Sequence, residues 1–402
     1  MRSWPLATPP AWPLVRLGDH VVKIGSGATP RGGKAVYVPT GPAFIRSQNV
    51  RDNRMCVEGI ARITRDAADA LRGVAVRPGD VLITITGESV ARCCVVDPEV
   101  LPARVSQHVA IVRPTEAINP VFLQKFLVQP EYKAFLRSLA TGGTRRALTK
   151  EQLADLPIAL PPRPVQDAIA ELLGALDAKI AVNHRIARCA DELRRSLLDH
   201  DLADGVARPQ PIPLSSVADF VNGRAYTSKA TGAGRMIVRI AEITVGPSAS
   251  TRYSDIEVPE RHLVRPGDVL FAWSGSLTVA RWFRSEAIVN QHIFKVVPKP
   301  GFPTWLVFEL TRSKLDEFRR IAADTATTLG HIQRRHLDEP VTAPAVEDIP
   351  RLDAQLGPLW DRALAAEREN LSLGALHDTL LTGLMSGRLR IRETEKLVGD
   401  VA

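Results

Sequence analysis

Four hundred and two residues exceed what one comfortable core holds, so two or more domains are expected. Hydrophobic residues make up 45% and charged residues 24%, which excludes a wholly disordered or collagen-like chain. No run approaches the ~18 apolar residues of a membrane span. The net charge of +8 is uneven. Residues 1–162 carry 21 Lys and Arg against 13 Asp and Glu, and residues 205–345 carry 18 against 13. Between and after them, 163–204 carry 6 against 8 and 346–402 carry 7 against 10. Two basic blocks point to a polyanion, although an Arg-heavy genome would also raise the pI. The opening Met1-Arg2-Ser3-Trp4-Pro5 lacks an apolar signal core. Cys56, Cys93, Cys94 and Cys189 form no CxxC pair, so a disulfide framework or zinc site is not expected, and a reducing cytoplasm suits the chain.

In chain order, the first block reads as short β-runs punctuated by Gly and Pro, including Val81–Ile85 and Val109–Val112. Val76-Arg77-Pro78-Gly79-Asp80-Val81-Leu82 is a turn feeding a strand. Pro120 to Leu139 reads as one amphipathic helix, with Asn119 as its cap and Pro120 at its first position. The proline cluster Leu160-Pro161-Pro162-Arg163-Pro164 ends this block. In the helix that follows, Ile169, Leu173, Leu176, Ile180, Asn183, Ala187, Ala190, Arg194 and Leu197 alternate in steps of four and three. That is a coiled-coil seam with small residues in its middle, although a core helix packed on its own domain would give a similar stripe.

The third block repeats the first. Val264–Leu270 restates Val76–Leu82 without a mismatch, and Ile237-Val238-Arg239 answers Phe44-Ile45-Arg46. Ser106-Gln107-His108 returns as Asn290-Gln291-His292 at an offset of 184, which also relates Thr144, Leu148 and Leu153 to Thr328, Ile332 and Leu337. A strand over Ile293–Val297 and a helix from Pro303 to Ile321 are expected. After Pro340 to Pro350 comes a second seam: Leu352, Leu356, Leu359, Ala363, Ala366, Asn370, Leu373, His377, Leu380 and Leu384. Asn183 and Asn370 are polar seam residues of the kind that fix register between antiparallel helices. Gly174, Gly357 and Gly374 weaken the helices locally. A period this long means a duplicated domain, not a solenoid.

Catalytic patterns are missing. Gly25-Ser26-Gly27 and Gly32-Gly33-Lys34 complete neither a P-loop nor a dinucleotide fingerprint. Asn119-Pro120-Val121-Phe122 departs from an amino-methyltransferase tetrad in its third residue, and no glycine-rich AdoMet loop precedes it. The nine histidines show no metal-binding spacing, and no nucleophile elbow is present. The chain reads as non-catalytic, with no metal site.

The arrangement resembles the specificity subunits of type I restriction–modification systems. Trp12-Pro13-Leu14-Val15-Arg16-Leu17-Gly18-Asp19 with Gly27-Ala28-Thr29-Pro30 is similar to the family's opening. Gly142-Gly143-Thr144-Arg145-Arg146-Ala147-Leu148 is similar to its G-[ST]-x-[QR] turn. Leu156–Pro162 resembles the PLPP segment, and Val165-Gln166-Asp167-Ala168-Ile169-Ala170 the start of the following helix. Glu369-Asn370-Leu371 through Leu384-Met385-Ser386-Gly387 matches the C-terminal motif. The second block departs from the pattern: Thr342-Ala343-Pro344-Ala345 replaces the PLPP tract, and Ala326-Thr327-Thr328 the turn.

The resemblance implies an α+β fold: two duplicated β-rich target-recognition domains separated by two long antiparallel coiled-coil helices. The expected boundaries are 1–162, a central spacer helix over 163–204, 205–345, a C-terminal spacer helix over 346–390, and a tail at 391–402. It implies a subunit that binds double-stranded DNA without modifying it, each domain reading half of a bipartite asymmetric site. The helices would dock two methylation subunits, which carry AdoMet, and restriction and translocase subunits would join. No cofactor and no membrane are expected for this chain. A recognition component of a related phage-defence system, or a methyltransferase in its own right, are the alternatives. Gln107 and Gln291 are expected to brace the modules. The candidate DNA contacts are Arg31, Lys34, Arg46, Arg51, Arg54, Arg145 and Arg146 in the first block, and Arg224, Lys229, Arg235, Arg239, Arg281, Arg334 and Arg335 in the second. The candidate seam and docking residues are Ile169, Leu173, Leu176, Ile180, Asn183, Leu197, Leu356, Leu359, Asn370, Leu373, Leu380 and Leu384.

Overall fold

A computed structural model of the chain describes residues 9, 11–140, 147–324 and 330–389. It divides into two compact units, one of residues 1–179 with 374–402 and the other of residues 180–373. Each unit holds one β-rich domain and a stretch of both long helices.

The first domain is built on an antiparallel four-stranded sheet in the order Val21–Ser26, Val109–Pro114, Val81–Thr84, Cys93–Val95. A three-stranded sheet, Ala61–Arg62, Ala43–Ile45, Ala103–Val105, packs beside it, with a parallel pair between its last two strands. Ile45, Leu82, Cys94, Val105 and Ile111 fill the core that the two sheets share. The second domain repeats this arrangement, with one strand more in the companion sheet. Its four-stranded sheet runs Ala218–Asn222, Ile293–Pro298, Val269–Ala272, Thr278–Arg281. Its companion runs Arg252–Ser254, Arg235–Val238, Ala287–Val289, Leu263–Val264, with the parallel pair in the same place. Each domain is closed by a two-stranded ribbon, Leu14–Arg16 with Pro157–Ala159 and Pro209–Pro213 with Pro340–Pro344.

The repeated Arg-Pro-Gly-Asp turn shows why the sequence repeats without a mismatch. Gly79 and Gly267 take φ of +79° and +97°, which residues with a side chain rarely adopt. The aspartate carboxylate then accepts the backbone N–H three residues earlier, Asp80 from Arg77 and Asp268 from Arg265, both at 2.7 Å. A cation from the adjacent strand holds each aspartate: Arg113 on Asp80 at 2.7 Å and Lys295 on Asp268 at 2.9 Å.

The single helix expected from Pro120 to Leu139 is two helices, Pro120–Val128 and Pro130–Leu139. Pro130 forces the residue before it out of the helical region, and Gln129 is extended at φ −53°, ψ 135°. The expected Pro303–Ile321 helix is likewise split into Thr304–Ser313 and Leu315–Asp324, with Lys314 at the break. Asn119 caps as expected, its Oδ1 accepting from Val121 and Phe122 N–H.

The long helices span Arg163–Ala203 and Ile349–Met385, continuing through Gly174 and through Gly357-Pro358. Gln166 anchors the start of the first: it is 1% exposed, accepts from Asn119 N–H and donates to the carbonyls of Ala117 and Pro161. In the second unit the helix segments pair antiparallel. Ala187 and Ala190 pack on Ala363 and Ala366, Asn183 donates to Glu369 at 2.8 Å, and Asn370 donates to the Ile180 carbonyl at 3.2 Å. In the first unit Ile169, Leu173, Leu176, Leu380 and Leu384 are buried. Leu356 and partly buried Leu197 and Leu359 join the second domain's core, so this end of the seam packs on the domain as well. Ile180 and Leu373 are half-buried.

Candidate nucleic-acid interface

Where the strand Val81–Thr84 runs out, the chain must turn, and Gly87 at φ +72° makes the turn possible. Ser106-Gln107-His108 lies beside it, tied by Ile85 N–H to the His108 carbonyl at 3.0 Å. The segment Ser47–Arg51 completes a cleft of about 540 Å³. Its polar lining comprises Gln48, Arg51, Thr86, Ser89, Arg92 and His108, with Glu88. Thr86 Oγ1 and His108 Nδ1 stand 2.7 Å apart. Arg51 is held in place from below: Arg51 N–H donates to the Arg54 carbonyl, Asp52 accepts from Cys93 N–H, and Lys133 pairs with Asp52. Guanidinium, amide and imidazole groups around an open cleft suit phosphates and base edges.

The second domain rebuilds this end with different side chains. Gly275, at φ +67°, stands where Gly87 does, and Trp273 N–H donates to the His292 carbonyl as Ile85 does to His108. The surface here is aromatic: the Trp273 ring lies 5.6 Å from His292 and 6.3 Å from His331. Trp273 Nε1 donates to Asn222 Oδ1 at 3.0 Å.

A glycine lets the preceding loop pass over each domain. A Cβ on Gly27 would meet the Val105 carbonyl at 1.9 Å, and one on Gly223 would meet the carbonyls of Val289 and Asn290 at 2.3 Å. Close backbone approach therefore explains Gly27 in the Gly27-Ala28-Thr29-Pro30 motif.

The candidate arginines and lysines separate into groups. Arg31, Lys34, Arg51, Arg54, Arg224, Lys229, Arg334 and Arg335 are exposed on loops or a 3-10 turn. Arg145 and Arg146 lie outside the described residues, as do most of the Gly142–Leu148 turn, Ala326-Thr327-Thr328 and the 391–402 tail. Arg281 requires correction. It is 6% exposed, pairs with Asp191 and Glu367 of the long helices, and sits 4.5 Å over Trp360, so DNA cannot reach it. Arg235 is bound to Glu286 and the Ile256 carbonyl. Arg239 makes a two-pronged pair with Glu242, which raises the basicity of the arginine. Arg46, at the matching position, is capped by Asn49 instead, and its Nε is buried without a hydrogen-bond partner.

In the second domain the bracing role expected of Gln291 falls on its neighbour Asn290, whereas the Ser106 hydroxyl beside Gln107 is buried without a hydrogen-bond partner. Ser106 and Asn290 are buried and Asn290 Oδ1 accepts Tyr226 N–H, whereas both glutamines are exposed. Gln107 Oε1 accepts from Thr29, and Gln291 Nε2 lies 3.2 Å from His292 Nε2. Arg92 and His108 were not among the sequence candidates. The signal for His108 was its repetition as His292; nothing local marked Arg92.

Among the described residues no helix is long and apolar enough to cross a membrane. Residues 9–188 match the family described as the type I restriction modification DNA specificity domain. The chain is similar to the EcoBI type I restriction enzyme specificity subunit of Escherichia coli, at 24% identity over 191 residues, which is 46% of this chain and 35% of that protein. The match thus spans about a third of that relative's length. The fold is similar to the crystal structure of the S subunit of the type I restriction–modification system from M. genitalium, with a TM-score of 0.60 and 14% identity over 93% of this chain and 96% of that one. The matched family model covers the first domain and part of the helix that follows it, and the second domain repeats the order and pairing of the first domain's four-stranded sheet.

Proposed function

We propose that this chain is the DNA-specificity subunit of a type I restriction–modification complex and carries no catalytic site of its own. Each recognition domain reads one half of a bipartite asymmetric site, and the long helices dock two methylation subunits, which bring AdoMet; restriction subunits then join in the cytoplasm. The observation that carries this reading is the repetition of one loop cluster, built on matching glycines and the Gln-His pair, at the same end of both four-stranded sheets. Duplicated surfaces with different side chains suit two readers of two sequences. The exposed cations Arg31, Lys34, Arg51, Arg54, Arg224, Lys229, Arg334 and Arg335, with Arg46, supply phosphate or base contacts, each phosphate contact adding about −0.9 to the slope of log K against log salt.

Genome-wide methylation mapping with and without the gene tests the reading. A bipartite motif should vanish with the gene, and replacing residues 205–345 by a relative's domain should change one half of it only. Loss of no motif, or a change in both halves, would overturn it.

A further inference from the structure

Each recognition domain rests on the long helices through a buried charge cluster, and the two clusters are inverted. The residue at the centre comes from the first helix packed on each four-stranded sheet: Lys125 in Pro120–Val128 and Glu309 in Thr304–Ser313. They are related by the offset of 184 that relates Ser106-Gln107-His108 to Asn290-Gln291-His292. Lys125 is 0% exposed and Glu309 4%, so neither charge is relieved by solvent. In the first unit Lys125 Nζ pairs with Asp177 of the first long helix and lies 3.0 Å from His377 Nε2 of the second. Asn53 Oδ1 accepts from the same ammonium at 2.9 Å. In the second unit Glu309 accepts from Arg194 of the first long helix at 2.8 Å and pairs with Arg312 of its own helix. Arg194 is itself 0% exposed, with Arg281 of the second domain on the neighbouring Asp191 and Glu367.

The helix residues correspond as the domain residues do. His377 and Arg194 occupy matching steps of the two seams, and Asp177 follows Leu176 as Trp360 follows Leu359. Lys125 set on the other helix stretches would therefore meet Arg194 with Trp360 in place of Asp177, while Asp191 and Glu367 would lose Arg281, which leaves with the second domain. Glu309 set on the first domain's stretches would meet Asp177. Both exchanges part buried charges from the partners they hold in the native order and set a like charge beside Lys125 and Glu309, which costs more than a neutral contact. We propose that the two clusters form a seating code: each recognition domain is accepted by its own stretch of the two long helices and refused by the other's. A buried polar group that fixes register or partner at some cost in stability is the best-supported use of such groups.

Full-length chains test this. In one, the recognition domains 12–162 and 205–345 exchange places while the helices stay unchanged. In a second, the exchanged chain also carries Lys125→Glu and Glu309→Lys (original numbers). The code predicts that the reversals raise the melting temperature and soluble yield of the exchanged chain by several degrees and several-fold, and lower both in the native order. Reversals that harm both orders, or leave the native order untouched, would overturn it. If neither exchanged chain folds, the native order decides. Lys125→Glu should lower the melting temperature, and adding His377→Arg, which recreates the Glu309–Arg194 pair, should restore most of the loss; a double variant no better than the sum of its parts refutes the code.

Discussion

In the first β-rich domain Asn49 caps Arg46 and leaves the arginine Nε buried without a partner; in the second Glu242 caps Arg239 and neutralises it. The backbone does the same thing in both places, since each cap accepts the N–H of the residue three before it. Only the charge left over differs. The same holds at the interface loops, where Thr86, Arg92 and His108 in one domain stand against Trp273, His292 and His331 in the other. The turns, glycines and strand order are held constant by backbone hydrogen bonding and close approach, while the side chains set on them vary. A duplicated fold can thus present two different surfaces on one pattern of turns and strand pairing.

The largest expected effect tests the constant part. Gly27→Val and Gly223→Val should each abolish folding of their own domain, because a side chain at either position enters a carbonyl at 1.9 or 2.3 Å. Thermal melting and limited proteolysis of the full chain would show it, and a normally melting variant in either domain would mean the loops shift cheaply.

Next in size is Arg281→Ala. It strips a buried cation from Asp191 and Glu367 and should cost about 3–5 kcal/mol by urea unfolding, whereas exposed Arg51→Ala should stay within about 0.5 kcal/mol. Their effects on DNA binding should run the other way, with Arg51→Ala reducing the salt slope by about 1. Equal stability losses for the two would mean that Arg281 is not held in its buried ion pairs.

Ala363→Leu follows. Ala363 and Ala366 are fully buried against Ala187 and Ala190, so the added carbons have no space and should cost about 1–3 kcal/mol. A neutral result would show that the helices can part at this point.

How much of this was legible follows the range of each interaction. The repeat, the Arg-Pro-Gly-Asp turns and the strands over Val81–Thr84 and Ile293–Pro298 are local patterns, and the sequence shows them directly. The seam of both helices was also readable, down to the alanines that pack at Ala187 and Ala363, because a periodicity records which face is covered. Pro130 signals the break at Gln129, although the apolar stripe runs on through it. Arg281 was not readable. Whether an arginine on a strand meets solvent or an acid depends on Asp191 and Glu367, distant in sequence, and no window around Arg281 contains them. The exposed glutamines mislead for the same reason: the neighbour that braces the fold is chosen by Tyr226, a strand away.

The smallest effect separates the two seats by pH. Burial, then the Lys125 ammonium, holds His377 below the ordinary imidazole range, against the opposing pull of Asp177 and Asp378; Asn53, also on Lys125, is neutral. The folded chain therefore takes up fewer protons here than the unfolded chain does once the pH falls below the ordinary value of about 6.5. Stability contributed at neutral pH is lost as the pH drops through that window. His262 in the second domain is also lowered, by burial and then by Arg261 and Arg224, and it adds loss of the same sign. Glu367, raised by burial, works in the opposite direction. Both remain in the variant His377→Asn, so the comparison isolates the first seat. Urea unfolding at about pH 7.5 and about pH 5.5 should show a smaller difference between the two conditions in the variant than in the parent chain. The quantity read is that difference, so a loss of stability common to both conditions leaves the test intact. An unchanged difference would mean that the imidazole escapes its buried position before it titrates, and that the first seat opens more readily than the second.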